Sequence, residues 1–397
     1  ETRLAVLPFA VRGGPEWAYL GDGMVDLLSA KLDGAGTLRA VDPRALLAAA
    51  EGEPAGDPER GRRLARRFDA GMYVLGSVVA GGGRVQLRAA LYETGGGEPA
   101  AEATMEGSAD ELFTLVDRLA ARLLADRERG PAARLDALAA RTTASLPAPK
   151  AYLRGQAAVR EGEYDEAVAA FGRAVAEDSA FALAWYRLSV AEDFQHGRVG
   201  TAARQARRHA ARLGSYDRML LDAWLAYWEQ RYADAERLYR AAVSARPDDV
   251  EAWSQLGEAL FHGGPQRGSP AEGARPAFER AVALEPDNGN ALVHLARLAA
   301  MRRERTAVDR LTQRILALGP EGDRALEALA LRALLLSDGE AGARATEMLR
   351  REGDYRVWVT VWRAMAFSGN PVGIRPMAAV LTEAVRSPLT RAQGHLL

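Results

Sequence analysis

The five histidines of this chain are its first candidates for metal binding or acid–base catalysis. They are His196, His209, His262, His294 and His395. A zinc site carried by one helix needs two histidines four residues apart, or a histidine three residues after a glutamate, and none of the five has such a neighbour. The chain also has no cysteine, which excludes disulfides, iron–sulfur clusters and cysteine-ligated zinc. We therefore predict no metal site, no cofactor and no catalytic residue.

Two of the histidines still have a spacing of interest. His262 and His294 fall on the first helices of two adjacent repeats, which are described below, so both could line one groove. An imidazole with an ordinary pKa of about 6.5 can act as a pH sensor. The alternative, which we favour, is a pair of exposed histidines at the edge of the groove.

A glycine cluster, Gly21-Asp22-Gly23, follows a short apolar segment and begins a helical pattern. Backbone amides at the start of a helix can bind an anion. However, the chain contains no G-x-x-x-x-G-K-[ST] phosphate loop, and this cluster lacks the third glycine of a dinucleotide motif. We predict that Asp22 caps the helix and that the glycines permit a tight turn. The alternative is a nucleotide or small-molecule site in an α/β domain.

Two pairs of adjacent acids, Asp110-Glu111 and Asp248-Asp249, are the remaining candidates for acid–base chemistry. Both pairs stand where a helical pattern begins. A carboxylate at that position complements the helix dipole and caps free amides. We predict that both pairs are caps.

The length and charge of the chain limit its architecture and partners. A chain of 397 residues is too long for one compact core, which favours two or three domains or one domain followed by an array. Its 52 basic and 53 acidic residues give a net charge of -1, so no general field attracts nucleic acid or anionic lipid. There is also no run of 18 or more apolar residues. We expect neither nucleic-acid binding nor a membrane span in this sequence.

The first 128 residues alternate between strand and helix patterns. Apolar segments at 4–9, 38–41 and 72–79 predict strands, and a helical pattern runs from Trp17 to Leu32. The glycine triplet at 81–83 then separates the two strands of a predicted antiparallel hairpin. The triplet at 95–97 leads to a third strand near 101–106. An amphipathic helix over 110–127 follows. This order predicts an α/β domain with a mixed sheet over residues 1–128.

Within that domain, several short motifs resemble the TolB-like N-terminal α/β domain. They are LAVLPF at 4–9, GDG at 21–23, LGSV at 75–78, RV at 84–85 and LY at 91–92. The resemblance covers about residues 3–128. It implies a module that bacteria attach to serine/threonine kinases, adenylate cyclases and membrane-anchored transcription regulators. It therefore implies a signalling protein tethered to a membrane upstream, with an extracytoplasmic or periplasmic location favoured and a cytoplasmic one possible.

After a helical, proline-containing linker over 129–147, the chain becomes periodic. Tyr164, Phe171 and Trp185 recur 68 residues later as Tyr232, Tyr239 and Trp253, and 68 is twice the 34-residue tetratricopeptide (TPR) period. The pattern W-x2-L-G, A-x3-F and P begins at Trp253. We predict five repeats over 148–322, at 148–181, 182–215, 216–249, 250–288 and 289–322. Degenerate helical repeats are predicted over 323–397, and the insertion at 263–270 is predicted to bulge between the two helices of the fourth repeat. The predicted fold class is thus an α/β mixed-sheet domain followed by an all-α TPR superhelical solenoid.

The first helix of each TPR lines a groove in which peptides are commonly held by aromatic anchors. The predicted groove residues are Tyr152, Gln156, Tyr186, Val190, Phe194, Leu220, Trp224, Tyr227, Ser254, Glu258, Phe261 and Arg297. The alternative is that single rings among them only pack against neighbouring helices. The carboxylate-clamp version of the repeat needs Lys and Asn at positions occupied here by Tyr152, Gln156 and Arg187, so we do not expect it to bind an acidic C-terminal tail.

These observations favour a non-enzymatic protein-interaction or sensory region of a bacterial signalling protein, with a peptide or protein partner in the groove. A structural adaptor or assembly scaffold is the first alternative. A small-molecule or nucleotide-binding α/β domain is the second. The oligomeric state is left open.

Overall fold

A computed structural model describes residues 2–35, 37–51, 55–127, 147–196, 201–383 and 386–396 of the chain. Residues 129–146 of the predicted linker lie outside the described residues. The chain divides into two compact units, Glu1–Ala252 and Trp253–Leu397. The first unit contains the α/β domain and the first three predicted repeats.

The α/β domain is built on a mixed sheet. Its strands are β1 (Thr2–Val6), β2 (Ala10–Arg12), β3 (Leu38–Ala40), β4 (Met72–Gly81), β5 (Arg84–Glu93) and β6 (Pro99–Ser108). The order is β3-β1-β4-β5-β6, with β2 also paired to β4. Strands β1 and β3, β1 and β4, and β2 and β4 are parallel, whereas β4, β5 and β6 are antiparallel neighbours. Gly82 and Gly83 both have positive φ, which suits the two-residue turn between β4 and β5.

Only the first half of the segment predicted as a strand over 4–9 is a strand in the structure, and the short strand β2 begins just after the segment, at Ala10. Strand β1 ends at Val6, because Pro8 has no amide to continue the ladder. The chain stays close to the sheet through Phe9, whose amide donates to the carbonyl of Gly21 (3.0 Å). The ring of Phe9 occupies the space that a Cβ on Gly76 would fill, so this approach requires glycine in β4.

Four helices cover the sheet: α1 (Leu20–Leu32), α2 (Pro43–Ala50), α3 (Pro58–Arg67) and α4 (Leu112–Arg127). Asp42 and Asp57 cap α2 and α3 by accepting backbone amides. The prediction that Asp22 caps α1 is wrong. Helix α1 begins before it, at Leu20, and the side chain of its N-cap residue makes no capping bond. At the start of α4, Ser108 and Glu111 form a capping box.

The rest of the first unit consists of helical hairpins. Its helices are α5 (Pro147–Glu161), α6 (Tyr164–Glu177), α7 (Ala182–His196), α8 (Thr201–Arg208), α9 (Ser215–Trp228) and α10 (Tyr232–Ala245). In the first hairpin the two helices approach closely at Gly155, where a Cβ would lie 2.6 Å from the ring of Phe171. A small residue on one helix facing an aromatic ring on the next is the packing that the TPR pattern predicts.

Helix α11 (Val250–Gln266) begins at the end of the first unit, and its hairpin partner is α12 (Arg275–Leu284). The remaining helices are α13 (Gly289–Met301), α14 (Arg305–Leu318), α15 (Asp323–Leu336), α16 (Gly339–Arg351), α17 (Asp354–Ser368), α18 (Arg375–Ala378) and α19 (Pro388–Leu396). Part of the insertion at 263–270 continues α11 through Pro265 instead of bulging. Within the described residues, no helix is long and apolar enough to cross a membrane.

These elements confirm the fold class. A mixed sheet with covering helices is followed only by helices, and from α5 to α16 they form hairpins of the TPR kind. Each of the five predicted repeats contains two helices.

Candidate functional site

In the first unit, the residues predicted to line a groove are mostly buried. Tyr186 and Trp224 are fully enclosed, and Tyr152, Val190 and Leu220 are also buried. The phenol of Tyr186 donates to Glu251 (2.5 Å). These side chains form core contacts within this unit.

Gln156 and Tyr227 keep part of their surface, and the side chain of Phe194 lies outside the described residues. Tyr227 stacks on Trp224 with the ring centroids 6.0 Å apart. Partner binding by Gln156 and Tyr227 stays a prediction.

Still in the first unit, charged contacts join the α/β domain to the repeats. Arg160 on α5 donates to the carboxylate of Asp26 on α1 (3.0 Å), and both side chains are largely buried. The amide of Asp42, the N-cap of α2, donates to Asp248 (2.8 Å), which also pairs with Arg3 (2.9 Å). The prediction that Asp248 is only a cap is therefore wrong, whereas Asp249 caps α11 by accepting the amide of Ala252.

Burial raises the pKa of Asp26, although the Arg160 guanidinium opposes this shift. Burial raises the pKa of Asp42 well above its usual range, and the neighbouring carboxylates of Asp249 and Asp248 add to the effect. These carboxylates therefore depend on their cationic and amide partners for stability in the folded state.

In the second unit, one polar cluster connects the first helices of successive hairpins. Glu258 and His262 are one turn apart on α11, with Oε2 3.3 Å from Nε2. His294 on α13 places its Nδ1 3.4 Å from Glu258 Oε1. The side-chain amide of Asn290 donates a hydrogen bond to the same oxygen, Oε1 of Glu258 (2.8 Å). Three side chains from two helices thus surround one buried carboxylate.

Arg297 extends this cluster to α15. Its Nε and Nη2 donate to the two carboxylate oxygens of Glu327, at 2.5 and 2.8 Å. Its Nη1 lies 2.8 Å from Nε2 of His294. Because a guanidinium only donates hydrogen bonds, Nε2 of His294 must accept, and Nδ1 then carries the proton that it donates to the carbonyl of Asn290 (3.1 Å).

The charges of this cluster are set by burial and by these contacts. Burial lowers the pKa of His294 to about 3, an effect that Glu258 opposes and Arg297 reinforces. Burial alone would raise the pKa of Glu258. The imidazoles of His294 and His262 lower it by more, so that the pKa falls well below its usual range. Burial also raises the pKa of Glu327, and its pairing with Arg297 outweighs this. At neutral pH, the cluster contains two carboxylates, one guanidinium and a neutral His294.

The prediction of exposed groove-edge histidines is wrong for His294, which is buried. With its pKa near 3, His294 does not titrate close to neutral pH, so it does not act as a neutral-range pH sensor. The side chain of His262 is 41% exposed.

Glu258, His262 and His294 place three possible ligand atoms within 4.8 Å of one another. A histidine that binds a metal through one nitrogen needs a hydrogen-bond acceptor at its other nitrogen. Here Arg297 is a donor at Nε2 of His294, and Nδ1 faces the carbonyl of Asn290. With a metal on Nδ1, the proton of His294 would move to Nε2, where it would face the N–H of Arg297. The positive guanidinium would then also lie close to the metal cation. The donor set therefore fits a hydrogen-bonded chain of charges, and the absence of a metal stays a prediction.

The structure brings together the predicted groove residues of the second unit. Ser254 accepts a hydrogen bond from Asn288 (3.3 Å), and the ring of Phe261 lies 4.9 Å from that of His294. Glu258 and Arg297 lie on either side of His294 in the buried chain of contacts. Sequence reasoning missed Glu327 and Arg363, which continue it. Charged residues of opposite sign on successive first helices were the available signal.

No family model and no curated protein matches this sequence. Among solved structures, the chain is similar to PilF of Pseudomonas aeruginosa (19% identity, TM-score 0.33), with 52% of this chain and 91% of that chain covered. It is also similar to PilW, a type IV pilus biogenesis factor (18%, TM-score 0.34; 52% and 93% covered). A third is a tetratricopeptide repeat protein from Parabacteroides merdae (13%, TM-score 0.35; 63% and 98% covered). Sequence identities and TM-scores this low do not indicate what this chain binds.

Proposed function

We propose that this chain is a non-enzymatic protein-interaction region that binds a peptide or protein partner along the first helices of its second unit. The observation that carries the proposal is an apolar side chain that is exposed beside a buried, hydrogen-bonded polar cluster, with the partly exposed His262 in that cluster. Met301 is 48% exposed. It follows Arg297 by one turn and His294 by two on α13, so the three share one face.

The helices under this surface are held in place by the buried cluster. Arg297 is buried, and its two bonds to Glu327 join α13 to α15 before any partner arrives. A preordered surface binds more tightly because less conformational entropy is lost on association. Met301 adds a flexible apolar contact of the kind found at adaptable binding surfaces. A peptide-binding surface needs an apolar anchor and polar groups that orient the peptide, and in this cluster His262 is the polar side chain that a partner can reach.

The proposal includes a bacterial signalling context, in line with the TolB-like resemblance, on the extracytoplasmic side of a membrane. In the first unit, buried ion pairs connect the α/β domain to the repeats. An adaptor role without signalling uses the same surface and differs only in what the longer protein carries.

A photo-crosslinking amino acid at Met301 of the full chain tests the proposal in lysate of the source cells. We expect one discrete cross-linked product, because the position lies inside the proposed surface. The matched control is Leu318, which is 40% exposed on the second helix α14 of the same hairpin. The proposal fails if neither position gives a product, or if both give the same products.

A further inference from the structure

Helix α17 presents a second surface that the proposed groove does not use. Its buried side is formed by Val357, Val361 and Ala364. On the opposite side, Tyr355 is 73% exposed and Trp362, two turns later, is 48% exposed. Large aromatic side chains with this much exposure are uncommon on the surface of a folded chain and often mark an interaction site.

The indole of Trp362 is held in place. It stacks on Trp358 with the ring centroids 6.4 Å apart and 17° between the planes. Trp358 is itself half-buried against the core of this part of the second unit. A partner would therefore meet a rigid aromatic surface, which reduces the entropy lost on binding.

Arg363 lies beside these rings. Tyr355 and Arg363 are eight residues apart, so both fall on the exposed side of the helix. Within the described part of the chain, Arg363 donates no hydrogen bond, and its one ion-pair partner is Glu327 at 3.8 Å. Both oxygens of Glu327 already accept bonds from Arg297.

The electrostatics agree with this geometry. Burial lowers the pKa of Arg363, and the neighbouring guanidinium of Arg297 reinforces the shift. By contrast, Arg356 on the same helix donates to Asp323 (2.6 Å) and lies 3.5 Å from Glu352. Arg363 is thus a partly desolvated cation whose nearest carboxylate is already occupied.

We propose that the face of α17 formed by Tyr355, Trp362 and Arg363 docks an acidic amphipathic segment of a partner protein. A carboxylate of an Asp or Glu side chain accepts paired hydrogen bonds from the Arg363 guanidinium, and neighbouring apolar side chains pack on the two rings. Arginine is suited to this role because its planar fork matches a carboxylate. The inference rests on the proposed function, protein binding, and adds a second surface with a defined partner chemistry.

The surroundings favour a protein over a polyanion. Asp323, Glu352 and Asp354 lie around the start of α17 and are paired with Arg356 and Arg386, so neither of these arginines is available to a phosphate backbone. Nucleic-acid binding also needs several free basic groups along the backbone, whereas Arg356 is already paired.

The test is a selection of displayed random 12-residue peptides on the full chain, followed by titration of a selected peptide. We expect selected peptides to combine an Asp or Glu with aromatic or aliphatic residues. Arg363→Gln and Trp362→Ser should each weaken binding at least tenfold, and the matched control Arg356→Gln should not. Replacing the peptide's acid by its amide should cause the same loss, with no further loss in Arg363→Gln.

Peptides without an acidic residue, or binding that is insensitive to both changes on α17, would overturn the inference. If such peptides instead lose affinity with Met301→Asp, the proposed function stands and this surface is not the site. No binding at 100 μM peptide by any selected sequence would count against both. A concentration-dependent dimer that Trp362→Ser dissociates would assign the face to a second copy of this chain and overturn the inference.

Discussion

At the scale of single residues, the polar cluster of the second unit is organised by Arg297. This guanidinium can only donate, so it fixes which nitrogen of His294 carries the proton and leaves the imidazole neutral. A neutral buried imidazole needs no counter-charge. Neither carboxylate of the cluster is needed to neutralise His294. Glu258 instead accepts a hydrogen bond from the side-chain amide of Asn290, and Glu327 pairs with Arg297.

The depressed pKa of His294 makes a prediction about stability. Its pKa is about 3 in the folded chain and about 6.5 when unfolded, so between these values only the unfolded state binds the proton. The free energy of unfolding should therefore fall as the pH drops below about 6.5, by up to about 1.4 kcal/mol per pH unit. We expect His294→Gln to remove this component. Urea unfolding at pH 7, 6 and 5 measures it.

The control is Met301→Gln, which replaces an exposed side chain without a titratable proton on the same helix α13. It should leave the pH slope of the wild-type chain in place. An identical slope in His294→Gln and the wild type would show that His294 takes up its proton in the folded state, contrary to its burial beside Arg297.

Some of this site could be predicted from the sequence. The 34-residue period places Glu258, Phe261 and Arg297 on one side of successive first helices. It does not give their partners, because the ion pair with Glu327 joins residues 30 positions apart in a region where the repeat pattern weakens. For the same reason, His294 was expected to be exposed, since burial comes from residues of neighbouring helices such as Phe261 and Phe278.

At the scale of elements, close helix packing depends on glycines that face aromatic rings. On α11, a Cβ at Gly257 would lie 2.4 Å from the ring of Phe278 on α12. On α6, by contrast, a Cβ at Gly172 would meet no atom within 4 Å. The two glycines are both helical, so their replacement by alanine separates packing from helix propensity.

We expect Gly257→Ala to destabilise the chain by about 1–3 kcal/mol, because the ring or the helix must move. Gly172→Ala should stabilise it by up to about 1 kcal/mol, since alanine is the better helix former. Chemical unfolding followed by circular dichroism measures both. Equal effects of the two substitutions would show that the hairpin of α11 and α12 is looser than this packing requires.

Local sequence rules were less successful where the chain leaves regular structure. The strand predicted over 4–9 ends at Val6, before Pro8, and the short strand β2 begins only at Ala10. The predicted cap at Asp22 was wrong because helix α1 begins before that residue. The amide of Phe9 donates to the carbonyl of Gly21 where the two segments meet, a contact that a pattern of residue types does not show.

At the scale of the whole chain, the α/β domain and the first repeats belong to one compact unit. One of the contacts between them is the ion pair of Asp26 and Arg160, in which both side chains are more than four-fifths buried. Removing one partner of a buried pair leaves an uncompensated charge, whereas replacing both by apolar residues is often tolerated. This ion pair therefore tests whether the two parts of the unit unfold together.

We expect Arg160→Met to destabilise this unit by about 3–5 kcal/mol at pH 8. The loss should be smaller at pH 5, because burial raises the pKa of Asp26 and an unpaired Asp26 can then take up a proton. The double variant Asp26→Leu with Arg160→Met should recover most of the stability. Urea unfolding, followed by far-ultraviolet circular dichroism for the helices and by hydrogen exchange in strands β4 and β5, measures both parts. If Arg160→Met released the helices while the strands kept their protection, the α/β domain would be an independent folding unit and this ion pair would not couple it to the repeats.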